Sequence, residues 1–219
     1  DLVTPMDVSN SLATATLANW NAPEYTDIFD QAEVNFDEKS ELAQVIAGAL
    51  GRRCDQIIID ALDASTPDAA DIVAGGTNLT VAKLISAKVS LKDQGVGDAD
   101  LYFAATALGL GGLLNDEKVT SEDYASVKAL VNGSINSFMG FTFNFLETRS
   151  EGGLTVAANV VDSYAYQKAS LGLAQGFENK TSIDWVPERT AWLSNGMLKA
   201  GAVVRDTGGL VKVQYDQTA

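Results

Sequence analysis

Asn35-Phe36-Asp37-Glu38-Lys39-Ser40-Glu41-Leu42-Ala43-Gln44-Val45-Ile46-Ala47-Gly48-Ala49-Leu50-Gly51-Arg52-Arg53-Cys54-Asp55-Gln56-Ile57-Ile58-Ile59-Asp60-Ala61-Leu62 is the stretch on which the fold turns. Apolar residues fall at Leu42, Val45, Ile46, Ala49, Leu50, Cys54, Ile57, Ile58, Ala61 and Leu62. That is the three-four spacing of one helical face. Asn35 and Glu38 stand where a capping box would have them, and Ser65-Thr66-Pro67 ends the run. A helix from Phe36 to Leu62 is about 40 Å long. The pattern predicts that Leu50, Cys54, Ile57, Ile58 and Leu62 face a sheet. Gly48 and Gly51 each cost roughly 1 kcal/mol against Ala inside a helix, so close approach of another backbone is expected there.

On the N-terminal side, Ser11 to Trp20 reads S-L-A-T-A-T-L-A-N-W, with Pro5 and Pro23 at the flanks. The composition predicts an extended strand with no partner in the adjacent sequence. A lone strand is unstable, so the expected partner is upstream residues or another molecule. Asp1 is preceded by no Met and no apolar leader, which suggests a chain processed or incomplete at its N-terminus. Trp20, Tyr25, Ile28 and Phe29 are large apolar groups with little local core. They either pack a loop or, as the sharper expectation, form a subunit interface.

On the C-terminal side, residues 79–93 read as an amphipathic helix with Gly95 at its end. Leu101 to Ala107 reads as a buried strand, followed by a short helix from Leu108 to Leu114. Ser121 is placed to cap a helix running to about Asn132. Phe141, Phe143 and Phe145 alternate with Thr142 and Asn144 as a strand does. Glu151-Gly152-Gly153 is a turn, and strands are expected within Val156–Gln167 and Thr181–Trp185. Asp206-Thr207-Gly208-Gly209 has the composition of a hairpin turn between Gly201–Arg205 and Leu210–Tyr215. The class is α+β or mixed α/β.

Composition narrows the function. Hydrophobic residues make up 46% of the 219, enough for a packed core, and disorder is excluded. Every charge-free stretch, Leu101 to Asn115 among them, falls short of the ~20 apolar residues of a spanning helix, so no membrane partner is expected. Fifteen basic and 29 acidic residues give a net charge of −14. A surface that grips nucleic acid must be positive, so specific DNA binding is not expected. With no histidine, serine triads and imidazole-bound zinc are excluded. The single cysteine, Cys54, forms no internal disulfide.

Two motifs invite chemistry. Gly109-Leu110-Gly111-Gly112 follows a strand and opens a helix, as a phosphate-binding turn would. Leu114 stands where the dinucleotide pattern requires its third glycine, and no GxxxxGK[ST] loop exists, so a tight strand-to-helix turn without ligand is expected. Glu24, Asp27, Asp30, Glu33, Asp37, Glu38 and Glu41 set seven carboxylates against Lys39. The calcium-loop spacing is absent, and a solvated acidic face is the expectation. No catalytic residues, cofactor or metal are expected.

Ala49-Leu50-Gly51-Arg52 leading to Asp55 through Leu62 resembles the spine helix of tailed-phage major capsid proteins. Leu79 to Ile85, Leu113 to Asp116, Val119 to Tyr124 with Val127 to Leu130, Phe138 to Phe141 and Ala200 to Asp206 are similar to that family in the same order. The resemblance implies the Hong Kong 97-type capsid fold, with an extended loop, a peripheral domain carrying the spine helix, and an axial domain. On that template residues 1–30 are extended loop, 31–65 peripheral domain, 66–182 axial domain and 183–219 peripheral strands. It implies a structural protein that self-assembles into hexamers and pentamers of an icosahedral shell enclosing phage DNA. Scaffolding, portal and decoration proteins are the implied partners, and assembly in the bacterial host cytoplasm into the virion capsid is the implied localisation. The alternatives are an encapsulin-like nanocompartment shell and a small α/β nucleotide-binding enzyme using Gly109 to Gly112.

Overall fold

The computed structural model describes residues 12–35, 37–115 and 137–218. The helix expected after Ser121 and the motifs at Val119–Tyr124 and Val127–Leu130 lie outside them. The predicted long helix is α2, Glu38–Asp63, with Asp37 at its N-cap. The capping box does not form: neither Asn35 nor Asp37 caps the helix by a side-chain hydrogen bond, and the Asp37 carbonyl instead accepts from the amides of Ser40 and Glu41. The Ser65 hydroxyl donates to the Leu62 carbonyl at 2.6 Å and closes the last turn.

One sheet has three strands in the order β1 (Ala18–Asp27), β8 (Ala191–Val204) and β7 (Leu171–Val186), all antiparallel. β1 therefore has its partner within the same chain. Ala18 pairs with Ala200 and Asp27 with Ala191, about 170 residues away in sequence. This overturns the expectation of an unpartnered strand, which adjacency in sequence could not decide. Pro23 lies inside β1 rather than at its flank, as an edge strand allows.

The second sheet is mixed. β3 (Ser137–Phe138), β4 (Phe141–Phe145), β2 (Leu101–Ala105), β6 (Val160–Gln167) and β5 (Val156–Ala157) follow in that order, and β9 (Leu210–Asp216) also pairs with β6. β2 and β4 run parallel, and the other pairs are antiparallel. Helices α3 (Val81–Asp93) and α4 (Ala107–Asn115) pack on it. Gly95 at φ 78° ends α3 in a left-handed turn, with the Val96 amide on the Leu91 carbonyl at 3.0 Å. Lys83, 8% exposed, turns its ammonium onto the carbonyls of Ala74, Thr77 and Asn78 at 2.7–3.1 Å. Burial lowers its pKa, opposed by the nearby Asp216.

Three sequence expectations change here. Gly201–Arg205 and Leu210–Tyr215 form no hairpin, because β8 and β9 belong to different sheets and the Asp206–Gly209 turn carries the chain between them. For the same reason the expected division at 182/183 falls inside β7, and β9 lies in the larger sheet. Gly48 and Gly51 meet no other backbone: a Cβ on Gly51 would find nothing within 4 Å, and one on Gly48 only the Arg52 guanidinium at 3.5 Å. Close approaches to α2 come from outside it, at Gly196 of β8, where a Cβ would stand 2.8 Å from Leu50 Cδ1 and against Ile46, and at Gly152, where one would stand 2.8 Å from the Arg52 carbonyl oxygen.

The two halves of α2 serve different cores. Ile46 and Leu50 pack with Leu198 and Ala200 of β8, joined by Cys54 and Ile57. Leu62 packs with Tyr164 of β6 and Leu210 of β9, with Ile58 beside them. Val45, expected on the buried face, is 62% exposed, whereas Ile59 is only 2% exposed. Among the described residues no helix is long and apolar enough to cross a membrane.

Candidate assembly surface

β1 lies at the edge of the three-stranded sheet, and its side chains alternate between the α2 side and the open side. Trp20 and Ala22 face α2 and join the cluster around Ile46 and Leu50. The Arg53 guanidinium lies 3.5 Å from the centre of the Trp20 ring and is itself held by Glu151 at 3.2 Å. Trp20 is thus seated within its own subunit, its indole Nε1 buried with no hydrogen-bond partner among the described residues.

Tyr25 points to the open side, 41% exposed, with the Arg189 guanidinium 4.7 Å from its ring centre. The chain then turns into α1, Ile28–Glu33, capped by the Asp27 carboxylate accepting from the Phe29 amide at 2.8 Å. This one-and-a-half-turn helix buries none of its residues: Ile28 is 40% and Phe29 69% exposed. An isolated helix of that length is unstable in water. Of the four sequence-predicted residues, the structure brings Tyr25, Ile28 and Phe29 together at the outer end of β1 and sets Trp20 apart, under α2.

The open side of the sheet also carries residues that sequence reasoning missed. A hollow of about 370 Å³ is lined by Asn19, Asn21, Phe177, Met197, Leu198 and Lys199. Phe177 is 44% exposed and follows a register shift in β7 at Gly176. A glycine next to an aromatic residue within a β-rich run was the available signal.

The other motifs are structural. Gly109 to Gly112 lies inside α4 rather than in the turn before it. A Cβ on Gly109 would meet the Tyr215 hydroxyl at 2.7 Å, and one on Gly112 the Asn78 amide nitrogen at 2.7 Å. Both glycines let α4 approach its neighbours, and those side chains occupy the space a phosphate would need. The Tyr215 hydroxyl accepts from the Thr106 amide at 2.9 Å and sits 3.0 Å from its hydroxyl. No group of three or more potential metal ligands occurs among the described residues. Burial, with Asp55 adding to it, raises the pKa of the Cys54 thiol, away from the reactive thiolate.

The profile of the family described as "Phage capsid protein" matches residues 1–217. The chain belongs to the phage capsid protein family. This phage capsid protein has the α+β fold of the Hong Kong 97 type, seen in solved structures of low sequence identity. A chain from Mycobacterium phage Che8 superposes with TM-score 0.72 at 16% identity, over 92% of this chain and 71% of that one. The acidic stable capsid of Helicobacter pylori bacteriophage KHP30 gives 0.73 at 11% identity, over 93% and 76%. The SrpI encapsulin complex from Synechococcus elongatus PCC 7942 gives 0.62 at 11%, over 94% and 75%. No curated protein matches the sequence. The phage capsid protein is therefore a structural major capsid protein, a component of multi-copy capsid shells in the virion.

Proposed function

We propose that this chain forms hexamers and pentamers that close an icosahedral shell around packaged phage DNA, and that it carries no enzymatic activity of its own. The observation that carries this reading is α1, a capped helix that buries nothing in its own subunit while its chain belongs to a capsid family over residues 1–217. Apolar groups displayed by a short helix gain stability only when a neighbour covers them. Tyr25, Ile28 and Phe29 are the proposed interface, with Trp20 bracing β1 from behind. The body built from α2 and the β1-β8-β7 sheet is proposed as the peripheral domain and the mixed-sheet body as the axial domain. Residues 12–17, just ahead of β1, are proposed as part of the extended loop.

A net charge of −14 suits a wall that encloses DNA without adhering to it. Assembly in the host cytoplasm, with scaffolding, portal and decoration proteins as helpers, belongs to the same proposal. An encapsulin-like compartment shares the fold, but the family match favours the phage shell. The test is electron microscopy and size exclusion of the purified full chain. Megadalton closed particles or isolated hexamers and pentamers are expected; a stable monomer or dimer at micromolar concentration overturns the proposal. Equilibrium dialysis against ATP, NAD and FAD should show no uptake above background.

A further inference from the structure

The hollow on the open side of the sheet and the exposed ring of Phe29 are complementary, and they belong to one chain. The hollow is apolar at Phe177 and Met197 and basic at Lys199. On α1, Phe29 and Glu33 are four residues apart, so they share a face. Neither Glu33 nor any other carboxylate of residues 24–41 forms an ion pair among the described residues, and neither do Lys180 and Lys199. The two features cannot meet within one subunit. Asn21 and Asp27 lie on the same continuous strand, about 20 Å apart at ~3.3 Å per residue. Phe29 begins beyond the far end of that span.

We propose that α1 of one copy docks on the open face of the β1-β8-β7 sheet of a second copy, Phe29 entering the hollow and Glu33 pairing with Lys199. The inference rests on the shell reading above and names the surface that receives the interface residues. The two patches differ, so the contact is head-to-tail and closes into rings or continues across a shell. The apolar ring supplies burial, and the carboxylate–ammonium pair fixes the register.

The test uses the full chain with Cys54→Ser, so that only introduced thiols react. Asn21→Cys and Ala32→Cys, the latter exposed on α1 three residues from Phe29, are combined in one chain, assembled and treated with a short bismaleimide. A ladder of linked subunits on a denaturing gel, at least tenfold stronger than with Asn21→Cys plus Val45→Cys, is the expected result. Normal particles without that ladder overturn the docking and leave the shell reading intact. An unaltered chain that stays monomeric or dimeric at micromolar concentration overturns the shell reading, and the docking with it. If the cysteine variants assemble poorly, charge exchange decides: Lys199→Glu should lower particle yield at least tenfold and adding Glu33→Lys should restore it. A double variant no better than the single, or a Lys199→Glu chain that assembles normally, overturns the docking.

Discussion

Gly196 shows how one atom can hold two elements apart. Its missing Cβ leaves room for Ile46 and Leu50 of α2 against the β8 backbone. Gly196→Val should destabilise the subunit by about 1–3 kcal/mol through overpacking, read as a lower urea midpoint with unchanged slope. Gly51→Ala, open on every side, should instead stabilise by roughly 0.5–1 kcal/mol. Asp98 gives a pH test. Hydrogen bonds from Lys88 and Lys92 hold its carboxyl down to about 2. Its folded value lies below the ordinary one, so the contribution is complete above ~4 and is lost as pH falls toward 2. Titration of the Asp98 carboxyl by NMR should show that low midpoint, and Lys88→Met with Lys92→Met should return it to the ordinary range. At this scale the sequence reading was weakest: it placed the tight glycines on the helix, whereas only the tertiary contact shows that the strand supplies the space.

At the scale of elements, helix α2 was legible because its three-four spacing runs for 26 residues. The composition of Phe141–Phe145 and the Gly95 stop were equally local signals. β1 was only partly legible: the strand expected over Ser11–Trp20 overlaps it at Ala18–Trp20 alone, with Leu12 to Leu17 in no strand, and its partner lies beyond any local pattern. That changes what truncation should do. Removing residues 1–30 takes the ten-residue partner from β8 and uncovers the cluster at Leu198 and Ala200. The shortened chain should lose its cooperative unfolding transition as well as its particles. Near-native circular dichroism and an unchanged denaturation midpoint would contradict this. Phe29→Ser should do the opposite, abolishing particles while the unfolding free energy of the subunit changes by less than about 0.5 kcal/mol, because that ring buries little in its own subunit.

For the whole molecule, charge, apolar content and the absence of histidine bounded the function early, and the resemblance at the spine helix gave the fold. The assembly surface was half legible. Tyr25, Ile28 and Phe29 stood out as aromatics and aliphatics without a local core, but the hollow that faces away from α2 is built from β1, β7 and β8 together. No single segment carries its signature. Polar contacts also tie α2 to the mixed-sheet body: Tyr164 donates to the Asp63 carboxylate, Thr155 donates to it at 2.6 Å, and Gln56 accepts from the Gly152 amide at 2.9 Å. One helix thus forms a wall of both cores. Neither sheet can melt and keep its half of α2 ordered, because each would leave the other's apolar stripe in water. Dissociated subunits should therefore absorb heat in one calorimetric peak whose van't Hoff and measured enthalpies agree. Amide protons along Ile46–Leu62 should be among the last to exchange with deuterium, and at a common rate, although they belong to opposite ends of the helix.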